Sequence, residues 1–213
     1  MSSYGTLWRV KYVLARKLAE KVSAARGEAR KKGYQRYLFD PGAIVSVSAE
    51  NGFRFHANMF SDVRKQPPGG RYRFRRHYLG ENNVPALSGK IDGEEPQCAE
   101  CIDSLPQVDF WVRNVARHRD AFYLPRATEK FYPDFVAKLK DGRIFVVEYK
   151  GERDAISPET DEKRAVGELW ERSGGGLFLM VEKSAQLACL MTRVSREAAL
   201  GCRDRLSRAA PSH

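Results

Sequence analysis

The 213-residue sequence has few cysteines, no long apolar run and few acidic residues in its first part. Four cysteines are too few for a disulfide framework, which agrees with a reducing compartment. No stretch approaches the roughly 18 to 20 apolar residues of a membrane span, and residues 1–11 lack the apolar core of a secretory signal. These absences predict a soluble, cytoplasmic protein without a membrane partner.

The scarcity of acidic residues in positions 1–90 gives the chain its charge. This part holds 18 Lys and Arg against 6 Asp and Glu, whereas positions 91–213 hold 19 against 21. The formal net charge of +10 therefore belongs to the first 90 residues. Lys and Arg that neutralise phosphates release condensed counterions, so this charge favours a polyanion such as a nucleic acid as the partner. A solvated helix face is the alternative.

Local patterns in the first 90 residues predict one helix and several short strands. Apolar residues at intervals of three or four are typical of an amphipathic helix, and alternating apolar residues around an Asn-Gly turn are typical of a hairpin. The predicted elements are a helix over 7–32 that ends at Gly33, strands over 43–48 and 53–60 joined at Asn51-Gly52, and a loop over 67–70. This part is therefore predicted to be a basic helix followed by a β-hairpin region.

Residues 71–79 (RYRFRRHYL) alternate aromatic side chains with arginine. On a β-strand this alternation would place the rings on one face and the charges on the other. Rings and guanidinium groups together suit nucleobase stacking and phosphate contact, but Tyr72, Phe74 and Tyr78 are equally compatible with a hydrophobic core. The candidate nucleic-acid contacts in this segment are Arg71, Arg73, Arg75 and Arg76.

A polar segment over 80–93 marks a predicted domain boundary, with a DNA-binding arm over 1–90 and a second domain over 91–213. The second domain shows alternating helical and strand patterns. Its predicted elements are a helix over 94–105, a strand over 108–112, a hairpin of 131–139 with 143–150, a helix over 159–173, a strand over 177–181 and a helical tail over 185–206. This order predicts an α/β domain with a mixed sheet flanked by helices.

The segment 131–151 (FYPDFVAKLKDGRIFVVEYKG) has acids and a lysine at the ends of two apolar strands. A turn of two or four residues would place Asp134 and Glu148 on opposite faces of the hairpin. A three-residue loop over 140–142, closed by a glycine in the left-handed conformation, would pair Asp134 with Glu148. Since Glu148 and Lys150 lie two apart on one strand, all three side chains would then share a face.

Two carboxylates and an ammonium group on one face suit a hard divalent cation. Mg²⁺ prefers oxygen ligands and commonly uses one or two protein carboxylates together with substrate phosphate oxygens. Beside such a cation Lys150 could hold or help to deprotonate an attacking water, or stabilise charge that develops in the transition state. The alternative is a hairpin end in which Lys150 neutralises both acids and no ligand binds.

The same residues resemble a known nuclease family. Pro133-Asp134, followed after thirteen residues by Glu148-Tyr149-Lys150, is similar to the PD-(D/E)xK nuclease signature. Longer segments resemble the C-terminal nuclease region of type III restriction enzyme Res subunits and related helicase-nucleases. These segments are 33–39, 72–80, 93–114, 121–125, 131–151 and 162–171, so the resemblance covers about residues 4 to 182.

The resemblance implies a restriction-endonuclease-like fold and a DNA endonuclease that depends on Mg²⁺, for which Mn²⁺ could substitute. It implies that Asp134 and Glu148 bind the metal and that Lys150 is the catalytic lysine. It also implies an acid on the first core helix as a further metal ligand and catalytic residue. Glu95 is the first choice for this acid, with Glu94 and Glu100 as rivals.

The resemblance also bears on DNA contact and on partners. Lys163 and Arg164 match positions that imply a phosphate contact beside the site, although a solvated helical turn is nearly as compatible. The large restriction subunits carry an ATP-driven motor, and its GxxxxGK phosphate loop does not occur in this sequence. The chain is thus expected to work on DNA with a helicase, translocase or methyltransferase subunit in trans, or to be a non-catalytic DNA-binding subunit or scaffold.

Overall fold

The structure is a computed structural model that describes residues 3–40, 42, 53–66, 72–87, 93–150 and 157–181, with side chains from residue 11 onward. The helices are α1 (Ser3–Leu38), α2 (Glu94–Ser104) and α3 (Pro158–Arg172). The strands are β1 (Val108–Arg113), β2 (Leu124–Pro125), β3 (Lys130–Phe131), β4 (Phe135–Leu139), β5 (Ile144–Tyr149) and β6 (Leu177–Val181). The predictions for 43–48, 51–52, 67–70, Arg71 and 185–206 lie outside the described residues.

The main sheet has four strands in the order β1, β4, β5, β6. Strand β4 is antiparallel to β1 and β5, whereas β6 runs parallel to β5. A parallel pair requires a crossover, and α3 provides it between β5 and β6. Strands β2 and β3 form a separate antiparallel pair. The described residues therefore form a mixed α/β fold, as the sequence predicts.

Both faces of the sheet carry a hydrophobic core because alternate side chains of its apolar strands point to opposite faces. The first core, on the α2 side, buries Ile102 of α2 against Phe135 and Phe145. The second core, on the α3 side, buries Val166 of α3 against Val136. The prediction of a mixed sheet flanked by helices is confirmed.

The hairpin of β4 and β5 has the register that the three-residue loop predicts. Phe135 pairs with Val147, and Lys138 pairs with Ile144. Gly142 has φ +91°, in the left-handed region, and its amide donates a hydrogen bond to the carbonyl of Leu139 at 2.9 Å. Continued by one residue, this register places Asp134 opposite Glu148.

Helix α1 does not end at Gly33 as predicted, because it continues to Leu38. A glycine inside a helix costs only about 1 kcal/mol relative to alanine, so tertiary contacts can override it. Here the last turns are anchored: the Tyr34 hydroxyl donates to the carbonyl of Pro125 at 2.6 Å, and Leu38 lies in the second core. No described helix, α1 included, is long and apolar enough to cross a membrane.

The predicted strand over 53–60 is also wrong. Residues 53–56 are irregular and 57–60 form a turn. The alternating rings pack on the body of the protein, with Phe53 against Phe122 and Phe55 against Phe110, at centroid distances of 5.7 and 4.8 Å. The period of two therefore reflects contact with a neighbouring surface and not membership of a sheet.

The predicted strand over 71–79 is wrong within its described part, which makes one isolated bridge, between His77 and Trp111. The buried Asp103 carboxylate bends the segment, because it accepts hydrogen bonds from two backbone amides and one tyrosine hydroxyl of 72–76. The indole of Trp111 donates to the same carboxylate. Phe74 is buried in the first core, which favours the core interpretation of this ring over nucleobase stacking.

Residues on both sides of the predicted boundary near residue 90 share the same cores. Phe74 and Val84 belong to the first core, and Leu38, Met59 and Phe60 belong to the second. The described parts of 1–90 therefore pack against the sheet, apart from the exposed length of α1. The division into a DNA-binding arm over 1–90 and a second domain over 91–213 stays a prediction.

Candidate active site

Asp134 and Glu148 meet at one end of the hairpin. Asp134 directly precedes β4 and is half-buried, and one of its oxygens, Oδ2, accepts a hydrogen bond from the Tyr149 amide at 2.8 Å. Glu148 lies in β5 and is 3% exposed. Burial and the neighbouring carboxylates of Glu148 and Glu95 raise the pKa of Asp134 well above its usual range. Two carboxyl groups this close favour a shared proton or a shared cation.

Two lysines surround Glu148. The Lys150 ammonium lies 2.7 Å from Glu148 Oε1, and the Lys163 ammonium lies 3.9 Å from the same oxygen. Burial raises the pKa of Glu148, and the two lysines oppose this only in part. Burial lowers the pKa of Lys150, but Glu148 and Asp134 outweigh this effect, so its pKa lies above the ordinary value. Lys150 is therefore a cation at neutral pH.

The second oxygen of Glu148, Oε2, is buried and has no hydrogen-bond partner among the described residues. The nearby Asp134 carboxyl can become a donor to it only when protonated. A buried carboxylate oxygen without a partner is costly, so such an atom favours a bound cation or proton. The donor set of two carboxylates fits Mg²⁺, which commonly combines one or two protein carboxylates with water and substrate phosphate oxygens.

Glu95, the predicted acid on α2, lies near Asp134 and Glu148 but bonds to a different residue. Glu95 is 8% exposed and accepts a hydrogen bond from the Arg113 guanidinium at 3.0 Å, while its charge still raises the pKa of Asp134. Glu94 accepts a hydrogen bond from the Tyr149 hydroxyl. The described ranges contain no group of three or more His, Cys, Asp or Glu side chains that could hold a metal ion. A ligand role for Glu95 therefore stays a prediction.

Asn114 positions the backbone around Asp134, and the sequence pattern did not single it out. Its buried side-chain amide donates to the carbonyls of Phe122 and Pro133, both at 2.8 Å, and its oxygen accepts from the Phe122 amide at 2.9 Å. Its own backbone amide donates to the Asp134 carbonyl at 2.8 Å. Asn114 thus joins the segment after β1 to the segment before β4. Such a long-range contact leaves no local signal in the sequence.

Of the two predicted phosphate contacts on α3, the structure places Lys163 beside the acids. Lys163 is beside Glu148 and also forms an ion pair with Glu159 at 3.0 Å. Arg164 is half-buried on the next position of α3. Ser157 caps this helix by accepting a hydrogen bond from the Thr160 amide, so the start of α3 and Lys163 are held in place.

The arginines of the segment 72–79 lie away from the acid pair. The amides of Arg75 and Arg76 bond to Asp103, near the end of α2, and the Arg76 guanidinium donates to the Leu105 carbonyl. Glu95 lies eight residues earlier on α2, which corresponds to about 12 Å along the helix. Arg73 is exposed. A nucleic-acid role for these arginines stays a prediction. They would contact a part of the DNA that is distant from Asp134 and Glu148.

Helix α1 carries a large excess of positive charge. It contains ten Lys and Arg against two Glu, and nearly all of residues 12–33 are exposed. Its anchor, Tyr34, bonds to the carbonyl of Pro125, the residue before Arg126. The Arg126 guanidinium forms an ion pair at 2.9 Å with Glu162, which directly precedes Lys163 on α3. The basic helix therefore leaves the body of the protein close to the start of α3.

Comparisons with family models, curated proteins and solved structures gave no match to this chain. The resemblance to restriction nucleases therefore stands on the motifs and their spacing. The geometry adds what the motifs cannot give, since it brings Asp134, Glu148, Lys150 and Lys163 together at one end of the sheet.

Proposed function

We propose that the chain is a Mg²⁺-dependent DNA endonuclease, a restriction or defence nuclease subunit without its own ATPase motor. The observation that carries the proposal is the meeting of Asp134, Glu148 and Lys150 in the hairpin register that the PD-(D/E)xK signature needs. The order α2, β1, β4, β5, α3, β6 supports a restriction-endonuclease-like core. A motor or methyltransferase subunit in trans is the proposed protein partner.

Asp134 and Glu148 would hold the Mg²⁺, with Glu148 Oε2 as the oxygen that has no partner among the described residues. The cation would polarise the scissile phosphate and lower the pKa of a bound water. Glu95 would join as a ligand only if it gave up its bond to Arg113. Mn²⁺, which accepts the same oxygen ligands, would substitute.

The lysines have roles that follow from their charge. Lys150 holds the attacking water or helps to deprotonate it, or stabilises negative charge at the reacting phosphate. Lys163, on α3, contacts a phosphate next to the acid pair. The exposed Lys and Arg of α1 hold the DNA backbone without reading its sequence.

The test is nicking of supercoiled plasmid by the purified chain. We expect nicking with Mg²⁺ or Mn²⁺ and none with a chelator, because the carboxylates act through a cation. Lys150→Ala should abolish nicking while plasmid binding persists, since Lys150 touches the reacting group and the exposed α1 keeps its ten Lys and Arg. Nicking that survives chelation, or that Lys150→Ala leaves unchanged, would contradict the proposal.

A non-catalytic DNA-binding subunit or scaffold is the second candidate. It is favoured by the absence, within the described part of the chain, of a group of three or more metal-binding side chains. The exposed basic α1 serves this role equally well. DNA binding with a steep salt dependence, but no cleavage with or without a partner helicase, would favour this candidate.

A further inference from the structure

Two partly exposed tyrosines and a lysine from the segments before Asp134 lie together, and we call them the tyrosine platform: Tyr123, Lys130 and Tyr132. The two rings have centroids 6.0 Å apart with planes at 54°, and the Lys130 ammonium lies 3.8 Å from the centre of the Tyr123 ring. Tyr123 is 45% exposed, Lys130 is exposed and Tyr132 is half-buried. Neither ring belongs to the two hydrophobic cores.

The tyrosine platform is close to Asp134 along the chain. Phe131 points into the second core, so Lys130 and Tyr132, one position to either side of it, point outward. Tyr132 lies two residues before Asp134, which limits the separation of their Cα atoms to about 7 Å. This distance is close to the size of one nucleotide step on an extended strand.

The platform is also held rigidly. Asn114 bonds to the carbonyl of Phe122, which precedes Tyr123, and to the carbonyl of Pro133, which follows Tyr132. The same side chain therefore fixes both tyrosines and the entry to Asp134. A pre-organised pair of rings loses little entropy when a flat ligand binds.

We propose that the tyrosine platform stacks an unpaired nucleobase next to the phosphate that is cut, so that the substrate is DNA with a single-stranded segment at the cleavage site. Every base has a π face, and stacking on an exposed ring tolerates any sequence. In a duplex both faces of each base are covered by neighbouring pairs, so the rings have a ligand only where bases are unpaired. Lys130 adds a positive charge for the adjoining phosphate.

This inference rests on the proposed nuclease function for the identity of the polymer, but its binding step is measurable without cleavage. The experiment uses the full chain in a chelator and compares a labelled single-stranded oligonucleotide with a blunt duplex of the same sequence by fluorescence anisotropy. The test variant, the leucine pair, carries both Tyr123→Leu and Tyr132→Leu. The matched control, the phenylalanine pair, carries both Tyr123→Phe and Tyr132→Phe and so keeps both rings.

We expect the leucine pair to weaken single-strand binding by roughly tenfold or more and to change duplex binding by less than about twofold, with the phenylalanine pair close to wild type. A 2-aminopurine base in the single strand should be quenched by wild type and by the phenylalanine pair only. The platform would be overturned if the leucine pair lost equal affinity for the single strand and the duplex. It would also be overturned if the leucine and phenylalanine pairs lost equal affinity for the single strand. Thermal unfolding of both pairs checks that they fold.

The outcome is separable from that of the proposed nuclease function. If the chain nicks plasmid with Mg²⁺ but the leucine pair binds single strands normally, the nuclease stands and the platform is wrong. If the chain never cleaves but the leucine pair loses single-strand binding, the platform stands and the nuclease is wrong.

Discussion

Among single residues, His77 has surroundings that make it sensitive to acid. It is 4% exposed, stacks edge to face on Trp111 and has no hydrogen-bond partner for either ring nitrogen within the described residues. The pKa of His77 is lowered from 6.5 to about 4: burial is the main cause and the charge of Lys65 adds to it, while the Gly80 backbone and the charge of Asp103 oppose them in part. The folded protein therefore holds a neutral imidazole in a place where a charged one is unfavourable.

This gives a prediction for the dependence of stability on pH. As pH falls below 6.5 the unfolded chain binds a proton at His77 before the folded chain does, so the free energy of unfolding falls between pH 6.5 and about 4. The loss amounts to about 3 kcal/mol, and it ends below pH 4, where both states are protonated. Denaturant unfolding of wild type and His77→Phe, which keeps a ring against Trp111, measures it. An equally steep loss in the variant would contradict this assignment.

The residues of the candidate active site differ in how far the sequence reveals them. Asp134, Glu148 and Lys150 were predictable because a glycine-closed loop of three residues fixes the hairpin register. Lys163 was predictable from the resemblance to the nuclease family. Asn114 and the tyrosine platform were not, because their contacts join segments that are eight or more positions apart. A local pattern cannot report which distant carbonyl an amide will reach.

At the scale of elements, α3 packs closely on β6 at Gly167. A Cβ atom built on Gly167 would lie 2.3 Å from the ring of Phe178, well inside contact distance. The glycine therefore lets the crossover helix approach the sheet and hold Lys163 near Glu148.

We expect Gly167→Ala to lower the free energy of unfolding by about 1 to 3 kcal/mol, because the added methyl group forces the helix or the ring to move. The matched control is Gly27→Ala on α1, where nothing lies within 4 Å of the added atom. This change should leave stability equal or raise it by up to about 1 kcal/mol through helix propensity. Denaturant unfolding compares the two, and a stabilised Gly167→Ala protein would refute the close packing.

The helix and strand boundaries predicted from the sequence are wrong where long-range contacts decide them. Gly33 does not end α1 because Tyr34 and Leu38 anchor the next turn to the body. The segment 72–79 alternates like a strand, but the Asp103 carboxylate takes up two of its backbone amides and bends it. In contrast, β6 was predicted to the residue, since a short, fully apolar run beside a glycine-rich turn has few alternatives.

At the scale of the whole molecule, charge of opposite sign is separated in space. The exposed α1 carries an excess of eight positive charges, while at the end of the sheet Glu148 is buried and Asp134 is half-buried. The helix is anchored beside α3, so DNA bound along it would pass near the acid pair. Under the proposed function, the net charge of +10 reflects a basic helix that would bind DNA, joined to a body whose acid pair would hold a cation.

The most direct test of the central claim compares two single substitutions in the nicking of supercoiled plasmid with Mg²⁺. Asp134→Asn removes one charge from the acid pair, whereas Asp161→Asn removes one charge from an exposed position on α3. The account predicts that Asp134→Asn lowers the nicking rate by roughly a hundredfold or more, and that Asp161→Asn changes it by less than about twofold. Nicking by Asp134→Asn at the wild-type rate would contradict it.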